Sequence, residues 1–471
     1  MCHSRGSVSS LLSFSLLILC RGTGRNWSVL AFRFATLPSP PMPGYVTYTN
    51  VVCHFFMRRL QLITILTIIL PGHFLIAQDI LRDEIEFIQK NTVSFDKTID
   101  NISITDFGKL NFSDDIKVFG IGEANHGTRE FQVLKLKLAE YLIQEKGLNT
   151  IMLEFPYSQG LLIDDYVKGK NKDGLKILTN QKNSEYKNTD FIDFIDSIKK
   201  LNETRDEIDK INFLGGDIFG KPTAIKLLKE YFNKVDPSQQ MIFTKYQELE
   251  AKTYLSVFEQ DKKLFVKLSK KASKILKRNR QEYIQKSSET DYNKATRLAE
   301  SLRLKWKGNE RAISFANNVM RTLSENPKNK VLVIAHNRHI GMLSKEVGKL
   351  LKDKLNDKYL SIGTDYEEGT FSLWNLKDAN NRFVDSLYTP KFEIGFANKF
   401  SGLTGDFHYI SLIETRKTKS DWATKENYIA SIGMGFNKDL FPTDFRQKAI
   451  LTKYFDAIFI FKKIHPIKRF E

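Results

Sequence analysis

Beyond Cys53 the chain contains no cysteine, the other two being Cys2 and Cys20. Everything after that point must fold without a disulfide and work without a thiolate nucleophile or thiolate metal ligand. A Gly-x-Ser-x-Gly nucleophile elbow is missing as well; the nearest string, Tyr157-Ser158-Gln159-Gly160, lacks the leading glycine. There is no phosphate-binding P-loop and no glycine-rich dinucleotide fingerprint. Internal repeats and low-complexity tracts are absent too. These gaps remove covalent serine or cysteine catalysis, P-loop nucleotide hydrolysis and nicotinamide chemistry from the field.

Acidic residues are also missing from the start of the chain. Asp79 is the first, and Arg5, Arg21, Arg25, Arg33, Arg58 and Arg59 all precede it. Within that stretch Met57-Arg58-Arg59 leads into the apolar run Leu60–Leu70, then Pro71-Gly72 and Ala77-Gln78. A basic start, a short apolar stretch and a small residue at the end form a secretory signal over 57–77. The run falls short of the roughly 20 residues of a spanning helix, so no stable membrane span is expected once the signal is removed. Residues 1–56 then read as an upstream extension, with translation starting at Met57. Two alternatives are that Leu11–Leu19 is itself the export segment, or that 1–77 is a membrane-proximal stalk. The expected location is periplasmic or extracellular.

The composition is ordinary for a globular protein: 471 residues in all, 41% hydrophobic and 27% charged, enough for one large core or two smaller ones. Removing the six early arginines from 72 lysines and arginines leaves 66 against 55 acids, a net charge of +11. Much of this excess is lysine on helical segments such as Lys262–Arg280. No aromatic interleaving accompanies it, so a solvated basic face is expected and no nucleic-acid partner.

Ile116–Ile121, a helix over roughly Arg129–Lys146, and Thr150–Phe155 form a parallel strand, helix, strand unit. Phe131, Leu134, Leu138, Tyr141 and Leu142 recur at helical spacing, with Thr128 placed to cap the helix and Gly147 to stop it. Further strands are expected at Ile211–Leu214, Val331–Ile334, Tyr359–Ile362, Thr370–Trp374, Tyr409–Ile413 and Ala457–Phe461. The fold class is therefore α/β: a mainly parallel sheet flanked by helices, spanning 78–471. Residues of about 222–326 carry only long charged helical pattern, a helical insertion that serves either as a lid or as a supporting bundle.

Ligands of parallel sheets bind where the strands end, because loops leave there and helix N-termini point back. Gly122-Glu123-Ala124-Asn125-His126-Gly127-Thr128-Arg129-Glu130-Phe131 stands at the first such end. Glu154 closes the second strand, Asp217 the third, and His336-Asn337-Arg338-His339 the fourth. Only five histidines follow residue 77, and three of them are His126, His336 and His339. Neutral imidazole takes up a proton near pH 7, and a carboxylate such as Glu123 or Glu154 can hold its tautomer. At the start of a helix His336 and His339 share one face, placed to hold water or polarise a carbonyl. Lys135 lies on the apolar stripe of its helix, where a bare charge is costly; it snorkels or reaches a carboxylate or substrate. Asp217 orients a histidine or caps the next helix. Arg311, Phe315 and Asn318 recur at helical spacing and reach the rim only if the insertion folds over it.

Gly122-Glu123-Ala124-Asn125-His126-Gly127 with Glu130-Phe131, Leu153-Glu154, Gly216-Asp217, Arg311 with Ala316-Asn317-Asn318, His336-Asn337-Arg338-His339 and Gly363 with Glu368-Gly369-Thr370-Phe371 resemble, in order and spacing, the motif series of the erythromycin esterase family, over about residues 80–465. The resemblance implies hydrolytic opening of a macrolide lactone, with antibiotic resistance as its expected setting, by a water that His126 deprotonates. It implies catalytic positions at Glu123, His126, Glu154, His336 and His339. Lys135, Arg129, Asp217, Arg311 and Asn318 are the candidate substrate contacts, and some relatives carry arginine at the position of Lys135. Asn125 stands where the family usually has a small threonine, and Ala312 where an acid is expected after Arg311. Both departures bear on the substrate rather than on the chemistry.

Three classes of function follow. The first is ester or lactone hydrolysis by a histidine-activated water, with a small-molecule substrate and no required cofactor. The second is a hydrolase holding zinc, iron or manganese on the same carboxylates and histidines. The third is a non-catalytic exported protein binding a metal, haem or glycan at this rim.

Overall fold

The computed structural model describes residues 15–21, 27–33 and 84–469, apart from 177–185, 245, 251–258, 305–308, 375–382, 419–424, 434–436 and 442. The expected signal at 57–77 and most of the expected extension 1–56 lie outside these residues. The chain divides into two units, Met1–Gln78 and Asp79–Glu471. In the first, β1 (Ser15–Arg21) and β2 (Trp27–Arg33) pair antiparallel. Among the described residues no helix is long and apolar enough to cross a membrane.

The second unit is built on a nine-stranded sheet. Its strands are β3 (Thr92–Phe95), β4 (Val118–Glu123), β5 (Thr150–Pro156), β6 (Asn212–Asp217), β7 (Val331–His336), β8 (Tyr359–Trp374), β9 (Phe383–Thr389), β10 (Phe407–Ser411) and β13 (Ala457–Ile464). A separate small ribbon pairs β11 (Asn427–Ala430) with β12 (Arg446–Ala449). The spatial order is β3-β10-β13-β8-β4-β7-β5-β6, with β9 on the far end of β8. From β13 to β6 every neighbouring pair is parallel; β3, β10 and β9 add antiparallel edges. This is the expected α/β class.

Both faces of the sheet are covered, so the central strands are apolar without alternation. All six residues of β4 and of β7 are buried. Val118, Val331 and Val333 pack into one core, whereas Phe119, Ile121, Leu332 and Ile334 pack into the core on the opposite face, as the two-residue period of a strand requires.

Two sequence expectations change. Tyr359–Ile362 and Thr370–Trp374 belong to one strand, because β8 runs unbroken through Asp365, Glu367 and Glu368. Those charges hide its strand character; Asp365 is fully buried against Arg446 at 3.2 Å, and Glu367 pairs with Lys391 at 3.1 Å. Thr128 occupies the N-cap position of the helix Arg129–Glu145, but its side chain makes no cap hydrogen bond. Its hydroxyl donates to the Asn125 side chain instead. Gly147 does stop the helix, at φ 67°, with the Leu148 amide reaching back to the Leu142 carbonyl at 3.0 Å.

The strand, helix, strand unit holds, yet β4 and β5 are not neighbours: β7 runs between them. Glu123 consequently lies in register with His336, and Leu153, just before Glu154, with Ile334. Residues more than 180 apart in sequence are thus set side by side. The described residues of 222–326 form helices joined by turns, with no strand, and the long helices are Lys221–Val235, Glu259–Arg278, Glu289–Ser301 and Glu310–Glu325. The last of these is seated on the end of β6. Phe315 occupies the space that a Cβ on Gly216 would need, 2.1 Å from its ring, and the Asn318 amide donates to the Gly216 carbonyl at 3.1 Å.

The turn after β4 depends on Gly127. Its φ is +76°, and a Cβ there would lie 1.8 Å from the Ser372 carbonyl oxygen. Gly147 has a similar φ of +67° but open space around it. Gly127→Ala is expected to cost about 2–4 kcal/mol, strain and clash together, and Gly147→Ala about 1 kcal/mol. Thermal unfolding of the two variants checks this; equal losses would show that the contact with Ser372 is unimportant.

Candidate active site

The turn that follows β4 brings Glu123 and His126 together. The His126 Nδ1 to Glu123 Oε1 distance is 2.6 Å. The other carboxylate oxygen accepts from Lys135 Nζ and, at 3.2 Å, from Gln132 Nε2. Lys135 and Gln132 lie three apart on the helix Arg129–Glu145 and so face the strand end together. Glu123 and Lys135 are buried and His126 is 14% exposed, so solvent reaches the cluster through the imidazole. Burial pushes the Glu123 carboxyl up, but Lys135 and His126 outweigh it and hold it at about 2. It is an anion at any physiological pH. The apolar position of Lys135 thus has a cause: its ammonium is buried against a carboxylate, without snorkelling.

A second network forms beside the first. Glu154 Oε1 accepts from Arg311 Nη2 at 2.6 Å and lies 3.2 Å from His339 Nε2. Glu154 Oε2 accepts from the His336 backbone amide at 2.9 Å. Arg311 also grips Asp217, with Nη2 2.6 Å and Nε 3.0 Å from Oδ2. His339 Nδ1 lies 3.0 Å from Glu346 Oε2. Burial pushes the Glu154 carboxyl up, but His339 and Arg311 hold it well below the usual carboxylate range. Burial works against a charge on His339 too, yet Glu154 and Glu346 raise it to about 9. At neutral pH His339 is therefore an imidazolium and donates to Glu154. Arg311 Nη1 stands 3.3 Å from the same Nε2; with a proton on each nitrogen this is a contact of like charges held by the shared carboxylate, not a hydrogen bond.

His336 stands between the networks, its ring centroid 5.3 Å from that of His126. It is the N-cap of the short helix Asn337–Ile340, where Nδ1 accepts from the Arg338 amide at 3.3 Å. Nε2 lies 3.2 Å from the Ile432 carbonyl oxygen. Burial, then the nearby His126, lowers its pKa to about 4, so the ring is neutral, with Nδ1 accepting and Nε2 donating. His336 and His339 thus meet Glu154 together while their rings serve opposite charge states.

Of the ten residues singled out from sequence, the structure joins Glu123, His126 and Lys135 in one network and Glu154, Asp217, Arg311, His336 and His339 in the other. Asn318 is buried beside Asp217 and lines a cavity of about 320 Å³ with Asp217, Arg297, Arg303 and Ser314. Arg129 joins neither network; its guanidinium pairs with Asp100 at 2.7 Å and Asp190 at 3.3 Å. Sequence reasoning did not find Gln132, Glu346 or the Ile432 carbonyl. The spacing of Gln132 from Lys135 is a usable signal; a loop glutamate and a backbone acceptor offer none. Among the described residues no group of three or more histidine, cysteine, aspartate or glutamate side chains is placed to hold a metal ion.

Two stability measurements follow from these contacts. Arg311→Ala leaves the buried Asp217 without its cation and Glu154 with the His339 imidazolium alone, an expected loss of about 3–5 kcal/mol; a variant as stable as wild type would contradict the network. His339 carries a raised folded pKa, so its contribution is fully present below the unfolded value of 6.5 and is lost as pH rises through about 9. Thermal unfolding of wild type and His339→Gln should therefore differ most near pH 6 and converge by pH 10, over a range of up to about 3 kcal/mol. A constant gap across that window would show that His339 titrates normally.

The chain and its fold are similar to known proteins. A model of the family described as erythromycin esterase matches residues 143–464, beginning after the Glu123–His126 turn. An erythromycin esterase type II of Escherichia coli is 24% identical over 402 residues, covering 74% of this chain and 90% of its own length. The fold is similar to a solved Bacillus cereus protein, with a TM-score of 0.69, 19% identity and coverage of 83% of this chain and 99% of that one. It is also similar to an erythromycin esterase mutant in its open conformation, with a TM-score of 0.60, 14% identity and coverage of 80% and 98%. With more than half its length matched by that model, the chain belongs to the erythromycin esterase family.

Proposed function

We propose that this protein hydrolyses an ester or lactone with a water activated by His126, a macrolide lactone or a related ester being the substrate. The observation that carries this is the 2.6 Å contact between His126 Nδ1 and the buried, ionised Glu123. A carboxylate fixed at Nδ1 keeps the ring proton there and turns the lone pair of the neutral ring to Nε2, the atom that takes a proton from water. Lys135 and Gln132 are positioning residues, since both act on Glu123.

In this mechanism the water oxygen bonds to the carbonyl carbon while its proton passes to His126 Nε2. The carbonyl π electrons move to the oxygen, giving a tetrahedral oxyanion. The cations at the rim, Arg311 and His339, are the groups available to stabilise that charge. Collapse restores the carbonyl and breaks the bond to the alkoxy oxygen, which recovers the proton from His126. A lactone is thereby opened to a hydroxy acid with the gain of one water. Neutral His336 stands beside His126, with ring centroids 5.3 Å apart, and the cavity of about 320 Å³ opens on the Asp217 and Asn318 side of the second network.

The same atoms favour this over a metal-dependent route. Arg311 and His339 occupy Glu154, Lys135 and Gln132 occupy Glu123, and both ring nitrogens of His336 face backbone groups. Cations and N–H groups thus hold the lone pairs that a metal would need.

His126→Ala is expected to abolish ring opening, by 10²-fold or more, with the fold intact by circular dichroism. Incubation with erythromycin and with simpler lactones, followed by mass spectrometry for the gain of one water, reads the reaction. Turnover unchanged in His126→Ala would overturn the proposal. A wild-type rate lost on chelation and restored by zinc, iron or manganese would support the metal route instead.

A further inference from the structure

The helix Glu259–Arg278 presents an outer face that hydrolysis does not use. From Lys262 to Gln281 the chain contains no acidic residue. Lys263, Lys267, Lys270, Lys271, Lys274, Lys277 and Arg278 are all exposed. At 100° per residue these seven fall within an arc of about 120°, and at 1.5 Å per residue they extend over roughly 22 Å. None of the seven has an ion-pair partner among the described residues. Neighbouring Arg280, by contrast, pairs with Glu289 at 2.8 Å. Phe265, Leu268, Ala272 and Leu276 project from the opposite side and are buried in the core of the helical region.

We propose that this face docks on the surface of an anionic lipid bilayer. A straight rod carrying cations over such an arc touches a plane along its whole length, so all seven can approach one layer of phosphate headgroups. The flexible four-carbon stems of six lysines even out their reach. Because the apolar side of the helix is already buried within the protein, the helix cannot sink into the acyl region as a free amphipathic helix does. Docking is therefore electrostatic, reversible and sensitive to salt, extending over a Debye length of about 10 Å at 0.1 M. A nucleic-acid duplex fits less well: the face offers no aromatic side chain to stack on a base and no projecting element to enter a groove.

The test is co-sedimentation of the full chain with vesicles of phosphatidylcholine containing 30 mol% phosphatidylglycerol, with pure phosphatidylcholine vesicles and a double-stranded DNA fragment as comparisons. Binding to the anionic vesicles is expected at about 50 mM salt, with little at about 500 mM and little to the neutral vesicles. The combined variant Lys267→Gln, Lys270→Gln, Lys271→Gln, Lys274→Gln should bind at least a hundredfold more weakly, at roughly fivefold per charge near the surface. A charge-matched control, Lys90→Gln, Lys172→Gln, Lys328→Gln, Lys358→Gln, should bind like wild type. All eight side chains are exposed, so both variants should melt with the wild type. Equal weakening in the two variants, no preference for anionic vesicles, or tighter binding to the DNA than to the vesicles would each overturn the proposal.

Discussion

A buried carboxylate with no cation beside it would take up a proton or unfold its surroundings, and Glu123 avoids both by sharing itself between Lys135 and His126. Desolvation of an ion is costly, and excellent geometry with every lone pair used is what offsets it. Several local features serve that geometry. The full burial of β4 and β7 fixes the strand end. Gly127 allows the tight turn that returns His126 to Glu123. Ser372 and Ile467 donate to the Gly127 carbonyl at 3.0 and 3.1 Å and so hold the turn from two other parts of the chain.

The second carboxylate is treated differently. Glu123 is shared between the Lys135 amine and one imidazole; Glu154 lies between Arg311 and an imidazole that Glu346 helps keep charged. His336 links the two, offering its amide to Glu154 and a neutral ring toward His126. The two networks thus differ in charge: an ionised Glu123 held by Lys135 and His126, and the cations Arg311 and His339 gathered about Glu154. In the hydrolysis proposed above, that difference would separate proton acceptance from charge stabilisation.

Much of this was legible in the sequence, because the ends of parallel strands are where polar residues converge, and Glu123, Glu154, Asp217 and His336 each close an apolar run. The helix after β4 could be read from its periodicity, and Lys135 stood out as a charge on an apolar stripe. Long-range placement could not be read in the same way. No local signal says that β7 runs between β4 and β5, which is what sets His336 beside Glu123. Nor does anything in the pattern around Arg311 reveal that its helix is seated on β6 through Phe315 and Asn318. Acids within β8 concealed one long strand as two short ones, since the cations that pair with them, buried Arg446 and half-buried Lys391, come from elsewhere in the chain. The basic pattern around Lys262–Arg280 was visible as charge, but its confinement to one unpaired face required the helix and its burial.

The protonation state of His126 decides between an acceptor poised for water and a merely structural histidine. Nitrogen-15 NMR of protein labelled at histidine, with His126 assigned through a His126→Gln variant, measures it directly. At pH 8 a neutral ring protonated on Nδ1 and bare on Nε2 is expected, and Glu123→Gln should abolish that preference. A ring protonated on Nε2 alone, or an imidazolium persisting at pH 8, would contradict the assignment of His126 as the base.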